Sequence, residues 1–294
     1  METTASSAPL DRLSSLLDRF PVTAHLFHTG ALCGTSTFAA QPGRGFFHVL
    51  RRGEMVVTHR QGLGVPRRIE AHEPTLFFYP RPLTHQFHND PKDGADFTCA
   101  SVHFEGGESH PLVRGLPPLV ALPLSRVAGL EGAVDLLFNE ADQSRCGHRL
   151  LVDRLFEVVL LQLLRWLIDH GEEEGISLGL FSGLADPQLA RALTAIHDHP
   201  GSPWTVDSLA GEAAMSRSAF AERFRTTVGV TPVQYLTDWR LAIARQRLRR
   251  GDSVKLIAPD LGYANASALS RVFAQRAGVS PRAWLLREGV PLKD

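Results

Sequence analysis

The residues able to do chemistry fall into two groups. Residues 186–294 hold 13 Arg and two Lys against 10 acidic residues, a net of +5. Residues 1–185 hold 16 basic and 21 acidic ones, so the 294-residue chain is neutral only by cancellation. A guanidinium fork suits a phosphate or the major-groove edge of guanine. Histidine and cysteine mark the other end. Nine of the 13 histidines lie between positions 25 and 110, with Cys33 and Cys99 among them. Imidazole ligates metals and moves protons. A thiolate can be oxidised and then captured by a second thiol.

The elements that must position these groups are legible in the patterning. Residues 11–20 space Leu13, Leu16, Leu17 and Phe20 as a short amphipathic helix. Residues 22–122 alternate short apolar runs with turn residues (FFHVLRRGEMVVTHR, RRIEAHEPTLFFYP, FTCASVHFEGG), the mark of an antiparallel sandwich or barrel. LLVDRLFEVVLLQLLRWLIDH is apolar nearly all round, so this helix wants a partner, and a second copy of the chain is one. The Gly-rich, acidic stretch 171–185 reads as a linker. The segmentation expected is thus a sensor barrel over 10–122, a helical packing segment over 123–170, the linker, and an all-helical domain over 186–290. Three cysteines, Cys33, Cys99 and Cys146, cannot form a disulfide framework, which fits a reducing, cytoplasmic setting. No run of about 18 apolar residues would span a membrane, and the start METTASSAPLDRL lacks the regions of a secretory leader.

The arginine-rich end repeats itself. LAGEAAMSRSAFAERFRTTVGVTPVQYL and IAPDLGYANASALSRVFAQRAGVSPRAWL each run from an apolar-Ala start through a turn and a polar cap to a Phe-containing helix. Each closes on Gly-Val-(Thr/Ser)-Pro, with Phe224 matching Phe273, Gly229 matching Gly278 and Pro232 matching Pro281. Two helices joined by a tight turn, the second opening on polar residues, form the helix-turn-helix pattern, whose second helix enters a major groove. Residues 233–250 form one long helix between the units, about 27 Å at 1.5 Å per residue. That length is comparable to one DNA turn, about 34 Å, so one chain can address two successive grooves of double-stranded DNA.

The stretch from TVDSLAGEAAMSRSAF to AGVSPRAWL resembles the DNA-binding domain of AraC/XylS-type transcriptional regulators over about 80 residues without a gap. The resemblance implies that the first recognition helix offers Arg217, Ser218, Ala221, Glu222 and Arg225, and the second Ala266, Ser267, Ser270 and Arg271. Arg217 and Arg271 are the expected readers of bases or nearby phosphates. Glu222 either accepts from a cytosine amino group or pairs with Arg225. Arg245, Arg247, Arg249 and Arg250 are expected to divide between DNA-backbone contacts and solvated surface. Two departures stand out. Pro259 falls inside the second bracing helix and is expected to shorten or kink it. The second recognition helix, with Ala266 and Ala268, is poorer in long polar side chains and is expected to read bases less sharply. The resemblance also implies promoter DNA and RNA polymerase as partners, and the apolar helix around Leu150–Ile168 is expected to help form a homodimer.

HVLRRGEMVV and EPTLFFYPRPLTHQF resemble the cupin-like barrel of the same regulators. Of the ligands that enzymatic cupins use, His85 is present and the early His-x-His and Glu are not, so no metal and no cofactor is expected. A metal-dependent cupin enzyme is the alternative reading. His48, His59, His72, His85, His88 and His103 are candidates for an inward cluster. The placement of Cys33 and Cys99 resembles AraC-type regulators that sense reactive chlorine through cysteines. The signal therefore stays open between cysteine oxidation and a small ligand beside Phe46, Phe47, Phe77, Phe78, Tyr79 and His85.

Overall fold

The computed structural model describes residues 10–90, 92, 94–143 and 145–288. The chain divides into two compact units: Phe20–Ser177, and a helical unit joining the chain up to Arg19 with the chain from Leu178 onward.

The Phe20–Ser177 unit is an antiparallel sandwich. Its strands are β1 (Val22–Leu32), β2 (Thr35–Phe38), β3 (Arg44–Arg52), β4 (Met55–His59), β5 (Arg68–Ala71), β6 (Thr75–Tyr79), β7 (His85–Asn89), β8 (Ala95–Phe104) and β9 (Val120–Pro123). One sheet has the order β1-β8-β3-β6-β9 and the other β2-β7-β4-β5. Alternation sorts the aromatics onto two faces. Phe46, Phe77, Tyr79, Phe87, Phe97 and Cys99 share the core between the sheets. Phe47 and Phe78, one residue out of phase, pack on the opposite face, where Phe47 meets Phe156. The ligand-lining set expected from sequence thus splits: Phe47 and Phe78 face away from the barrel interior. Outside the sheets lie α2 (Pro111–Gly115), α3 (Glu131–Ala141) and the 23-residue α4 (His148–His170), which packs on β1.

The helical unit comprises α1 (Ser14–Arg19), α5 (Leu180–Ala185), α6 (Pro187–Asp198), α7 (Val206–Glu212), α8 (Arg217–Val228), α9 (Pro232–Arg249), α10 (Val254–Asp260), α11 (Ala266–Ala277) and α12 (Pro281–Arg287). Caps decide these boundaries. Asp186, Thr205, Ser216, Thr231, Ser253, Asn265 and Ser280 each accept a backbone N–H of the helix they precede. Gly229 and Gly278 end the two recognition helices in the left-handed region. The α7–α8 and α10–α11 pairs close their turns alike: Met215 N–H donates to Ala210 and Tyr263 N–H to Ala258, both at 2.9 Å.

Three expectations are corrected. Helix α1 belongs with the helical unit and not with the barrel, because Leu16 is fully buried and Arg12 and Arg19 donate to the carbonyls of Leu184 and His197. The expected linker 171–185 is ordered. Gly171–Glu174 is a 3-10 turn, and Leu180, Phe181 and Leu184 of α5 are buried. The glycines around them concealed this apolar set. Pro259 does not shorten its helix: α10 has seven residues, as does α7, because the proline falls in the last turn.

The second turn carries a steric constraint. Gly262 has φ of +75°, and a Cβ there would lie 2.4 Å from the Gly201 carbonyl oxygen. Ala214 holds the corresponding place in the first turn at φ of +51°. Gly262→Ala should cost more than about 2 kcal/mol of unfolding free energy, whereas Ala214→Gly should be neutral or stabilise by up to about 1 kcal/mol. Urea denaturation of the two variants checks this, and equal effects would refute it.

Candidate DNA-binding surface and sensor core

Caps place α8 and α11 in equivalent settings, with Ser216 matching Asn265. Phe220 and Phe224, like Leu269 and Phe273, anchor each helix inward. The opposite faces carry the expected readers. Arg217, Ser218, Glu222 and Arg225 are exposed and Ala221 is half-buried. On α11, Ser267 and Arg271 are exposed, and Ala266 and Ser270 are half-buried. Counting from the caps, Arg271 occupies the place that Glu222 holds in the first unit, so the two faces differ in sign at one position.

The arginines then separate by partner. Arg217 pairs with Asp207 at 3.0 Å, an exposed contact that DNA phosphate can replace at little cost. Arg225 and Arg271 pair with no carboxylate among the described residues, and no Glu222–Arg225 ion pair forms there. Arg223 pairs with Asp186 at 2.6 Å, Arg247 with Asp252 and Asp260 at 2.7 and 2.5 Å, and Arg249 with Glu288 at 2.8 Å. Arg247 and Arg249 therefore hold the helical unit together, which departs from the expectation that they serve as DNA contacts or solvated surface. Sequence reasoning missed Arg240. Its guanidinium donates to the Pro200 and Ser202 carbonyls at 2.6 and 2.8 Å and covers the Tyr263 ring. No local pattern distinguished it from the arginines around it.

In the sandwich, three of the six candidate histidines converge. His85 Nε2 lies 2.9 Å from His48 Nε2, and His59 Nε2 lies 3.0 Å from the Tyr79 hydroxyl. Tyr79 stacks on His85 with ring centroids 4.0 Å apart. Protons can be placed from the partners. His59 Nδ1–H donates to the Pro66 carbonyl, so its Nε2 accepts from Tyr79. His85 Nδ1–H donates to the Leu83 carbonyl, so its Nε2 accepts from His48 Nε2–H. His48 is left with a bare Nδ1 acceptor, which is buried and has no partner. Burial lowers the pKa of His48 well below the usual value, with the neighbouring His85 adding to it, and burial lowers that of His85 to about 4. Both rings are thus held neutral at pH 7. His88 bonds instead to Thr35 and Thr58, while His72 and His103 are exposed. Among the described residues no group of three or more His, Cys, Asp or Glu side chains could hold a metal ion.

The cysteines are not brought together. Cys99 is buried on β8 opposite His48 and His28, whereas Cys33 is exposed just past the end of β1, as is Cys146 ahead of α4. Cys33 lies five residues beyond His28, roughly 16 Å along the strand. A disulfide needs Cα atoms within about 7 Å, so a direct Cys33–Cys99 bridge does not fit this conformation. Burial also pushes the Cys99 thiol up, away from the reactive thiolate.

A two-layer antiparallel sandwich with inward histidines and a tandem helix-turn-helix unit define the class: a cupin domain followed by a DNA-binding-type helical domain. A family model described as cupin matches residues 11–169, and one described as a helix-turn-helix domain matches residues 209–287. The chain belongs to the cupin family, in the AraC-type form that ends in a helix-turn-helix domain. A Streptomyces antibioticus protein named as AraC-like is 36% identical over 173 residues, 58% of this chain and 56% of that one. The chain thus matches little more than half the length of that relative. An uncharacterized HTH-type transcriptional regulator of Haemophilus influenzae is 28% identical over 264 residues, 82% of this chain and 86% of that one. The RCS-specific HTH-type transcriptional activator RclR of Escherichia coli is 33% identical over 154 residues, 52% of this chain and 53% of that one. Among the described residues no helix is long and apolar enough to cross a membrane.

In the folded protein a thiol reagent should modify Cys33 and Cys146 promptly, and Cys99 only after unfolding. Time-resolved labelling with mass spectrometry reads this. Labelling of Cys99 as fast as Cys33 would refute its burial.

Proposed function

We propose that the chain is a cytoplasmic, sequence-specific transcriptional regulator and not an enzyme. Its helical unit binds promoter DNA, and its cupin domain senses a chemical signal that gates promoter binding or activation. The carrying observation is the pair of equivalently capped helices α8 and α11, each with an outward polar face and an arginine without a carboxylate partner among the described residues. Arg217, Ser218, Ala221, Glu222 and Arg225 address one major groove, and Ser267, Ser270 and Arg271 the next. The opposite charges at Glu222 and Arg271 fit two different half-sites. RNA polymerase is the partner through which such binding acts on transcription.

The regulator acts as a homodimer through α4. Leu151, Val158 and Leu161 are 45%, 43% and 38% exposed. With Arg154 and Arg165 they follow the 3-4 spacing of a helix–helix seam. For the signal, the buried Cys99 thiol favours a small ligand over cysteine oxidation. The exposed Cys33 and the likeness to RclR, named RCS-specific, keep oxidation as the second reading.

Arg271→Ala should weaken operator binding by roughly 1–3 kcal/mol, and affinity should fall steeply with salt. Fluorescence anisotropy on the chain's own upstream DNA measures both, and an unchanged affinity with a flat salt response would exclude the DNA reading. Footprints taken reduced, after a mild hypochlorite pulse and after reductant, for wild type and Cys33→Ser, decide the signal. A pattern that changes with oxidant and reverses with reductant only in wild type selects the thiol. Val158→Glu with Leu161→Glu should give a monomer by sedimentation, and a persistent dimer would remove α4 from the interface.

A further inference from the structure

We propose that Arg240 is a positioning residue for DNA recognition: it locks the two helix-turn-helix units to each other and so sets which spacing of two groove sequences the protein accepts. The proposal rests on the reading of the helical unit as the DNA-binding one and adds to it the source of its spacing specificity.

The two helix-turn-helix units share α9, and each takes one stretch of it. Tyr235 and Trp239 serve the first: Tyr235 packs on Phe224 with ring centroids 5.7 Å apart, and Trp239 on His197 at 4.1 Å. Beyond Arg240 the partners belong to the second. The Arg245 guanidinium carbon lies 5.5 Å from the Phe273 centroid, Arg247 pairs with Asp260 at 2.5 Å, and the Arg249 guanidinium carbon lies 4.8 Å from the Trp284 centroid. Asp238 also faces the second unit, 3.7 Å from Arg276 of α11. One shared helix does not fix two bodies, because helices of this length bend. A rod about 27 Å long that tilts by about 10° moves its far end by about 5 Å, more than one base-pair rise of about 3.4 Å.

A second junction removes that freedom. Residues 199–205, which join α6 to α7, press against the turn between α10 and α11. A Cβ on Gly201 would lie 2.4 Å from the Asp260 carbonyl oxygen, and one on Gly262 2.4 Å from the Gly201 carbonyl oxygen. Close approach resists compression but not separation, and Arg240 supplies the hold. Its Nε donates to the Pro200 carbonyl at 2.6 Å and its Nη2 to the Ser202 carbonyl at 2.8 Å. Its guanidinium carbon lies 5.6 Å from the centroid of Tyr263, in the second turn. Tyr263 is tied to its own unit, its N–H donating to the Ala258 carbonyl at 2.9 Å. One planar group on α9 thus grips the first unit by two carbonyls and the second by an aromatic face. Any bend of α9 that changes the spacing of α8 and α11 must break this grip.

The grip is committed within the protein. Arg240 is half-buried, both of its acceptors are uncharged carbonyls, and it pairs with no carboxylate among the described residues. A fork so engaged acts on DNA through the recognition helices and not by touching a phosphate.

The test uses the full-length protein and an operator located by footprinting on the chain's own upstream DNA. Duplexes carry that operator unchanged, or with one base pair added or removed between its two protected tracts. Anisotropy titrations give the affinities, and Tm is recorded for each variant. Wild type should bind the altered spacings at least about tenfold more weakly, as for a lost base contact. Arg240→Met should bind the unaltered operator about tenfold more weakly, yet hold all the duplexes within about threefold of one another. Arg240→Lys, which keeps the charge but not the fork, should also narrow the spacing preference, and it carries the comparison if Arg240→Met does not fold. The slope of affinity against salt should stay as in wild type, since no phosphate contact is lost. Wild type that tolerates the altered spacings overturns the proposal, as does a folded variant that weakens every duplex equally. A salt slope reduced by about one in Arg240→Met would make the residue a phosphate contact and also overturn it. A wild type with no footprint and no salt-dependent binding removes the DNA reading and the proposal together. A specific footprint with an unchanged spacing preference in both variants removes the role of Arg240 alone.

Discussion

The geometry of the helical unit depends on one half-buried guanidinium. Arg240 projects from the middle of α9, donates to the carbonyls of Pro200 and Ser202, and lies against Tyr263. It thereby ties the α6–α7 connection to the turn of the second helix-turn-helix. Gly201 and Gly262 make this possible, because a Cβ at either position would lie 2.4 Å from a backbone oxygen of the facing turn. A rigid α9 with one clamp at its centre keeps two recognition helices at a set spacing, and a fixed spacing is what reading two successive grooves requires.

The sandwich is organised by a different constraint, the satisfaction of buried imidazoles. Tyr79, His59, His85 and His48 share a core with no carboxylate partner, so burial holds the histidines neutral and each needs one donor and one acceptor. The partners run out at His48. The same core explains why Cys99 is a poor first target for oxidants: it sits among aromatics, and its thiolate would have no compensating charge.

The chain also crosses between its two compact units twice, once at Arg19–Phe20 and once at Ser177–Leu178. The first crossing is anchored on both sides. Arg19 donates to carbonyls of α6, while the Phe20 carbonyl lies 3.1 Å from His110 Nε2 in the sandwich unit. A domain order written along the sequence conceals this arrangement.

Local chemistry made much of this protein readable. Caps such as Thr205, Ser216 and Thr231, and stops such as Gly229 and Gly278, act within one helical turn, so the tandem helix-turn-helix and its outward residues were legible from residue types alone. Strand alternation foretold the sandwich and an inward His85. What residue types could not decide were choices between long-range partners. Arg247 and Arg249 look like DNA contacts in one dimension and are ion-paired in three, because Asp252, Asp260 and Glu288 come to them only through the fold. Residues 180–185 read as linker until tertiary contacts buried Phe181. Helix α1 was visible, but only packing could choose the unit it joins. That His48 and His85 would meet as neutral buried rings was likewise settled only where the two sheets close on each other. Short-range hydrogen bonding and periodicity are written in sequence, whereas desolvation and partner choice depend on what else arrives at the same place.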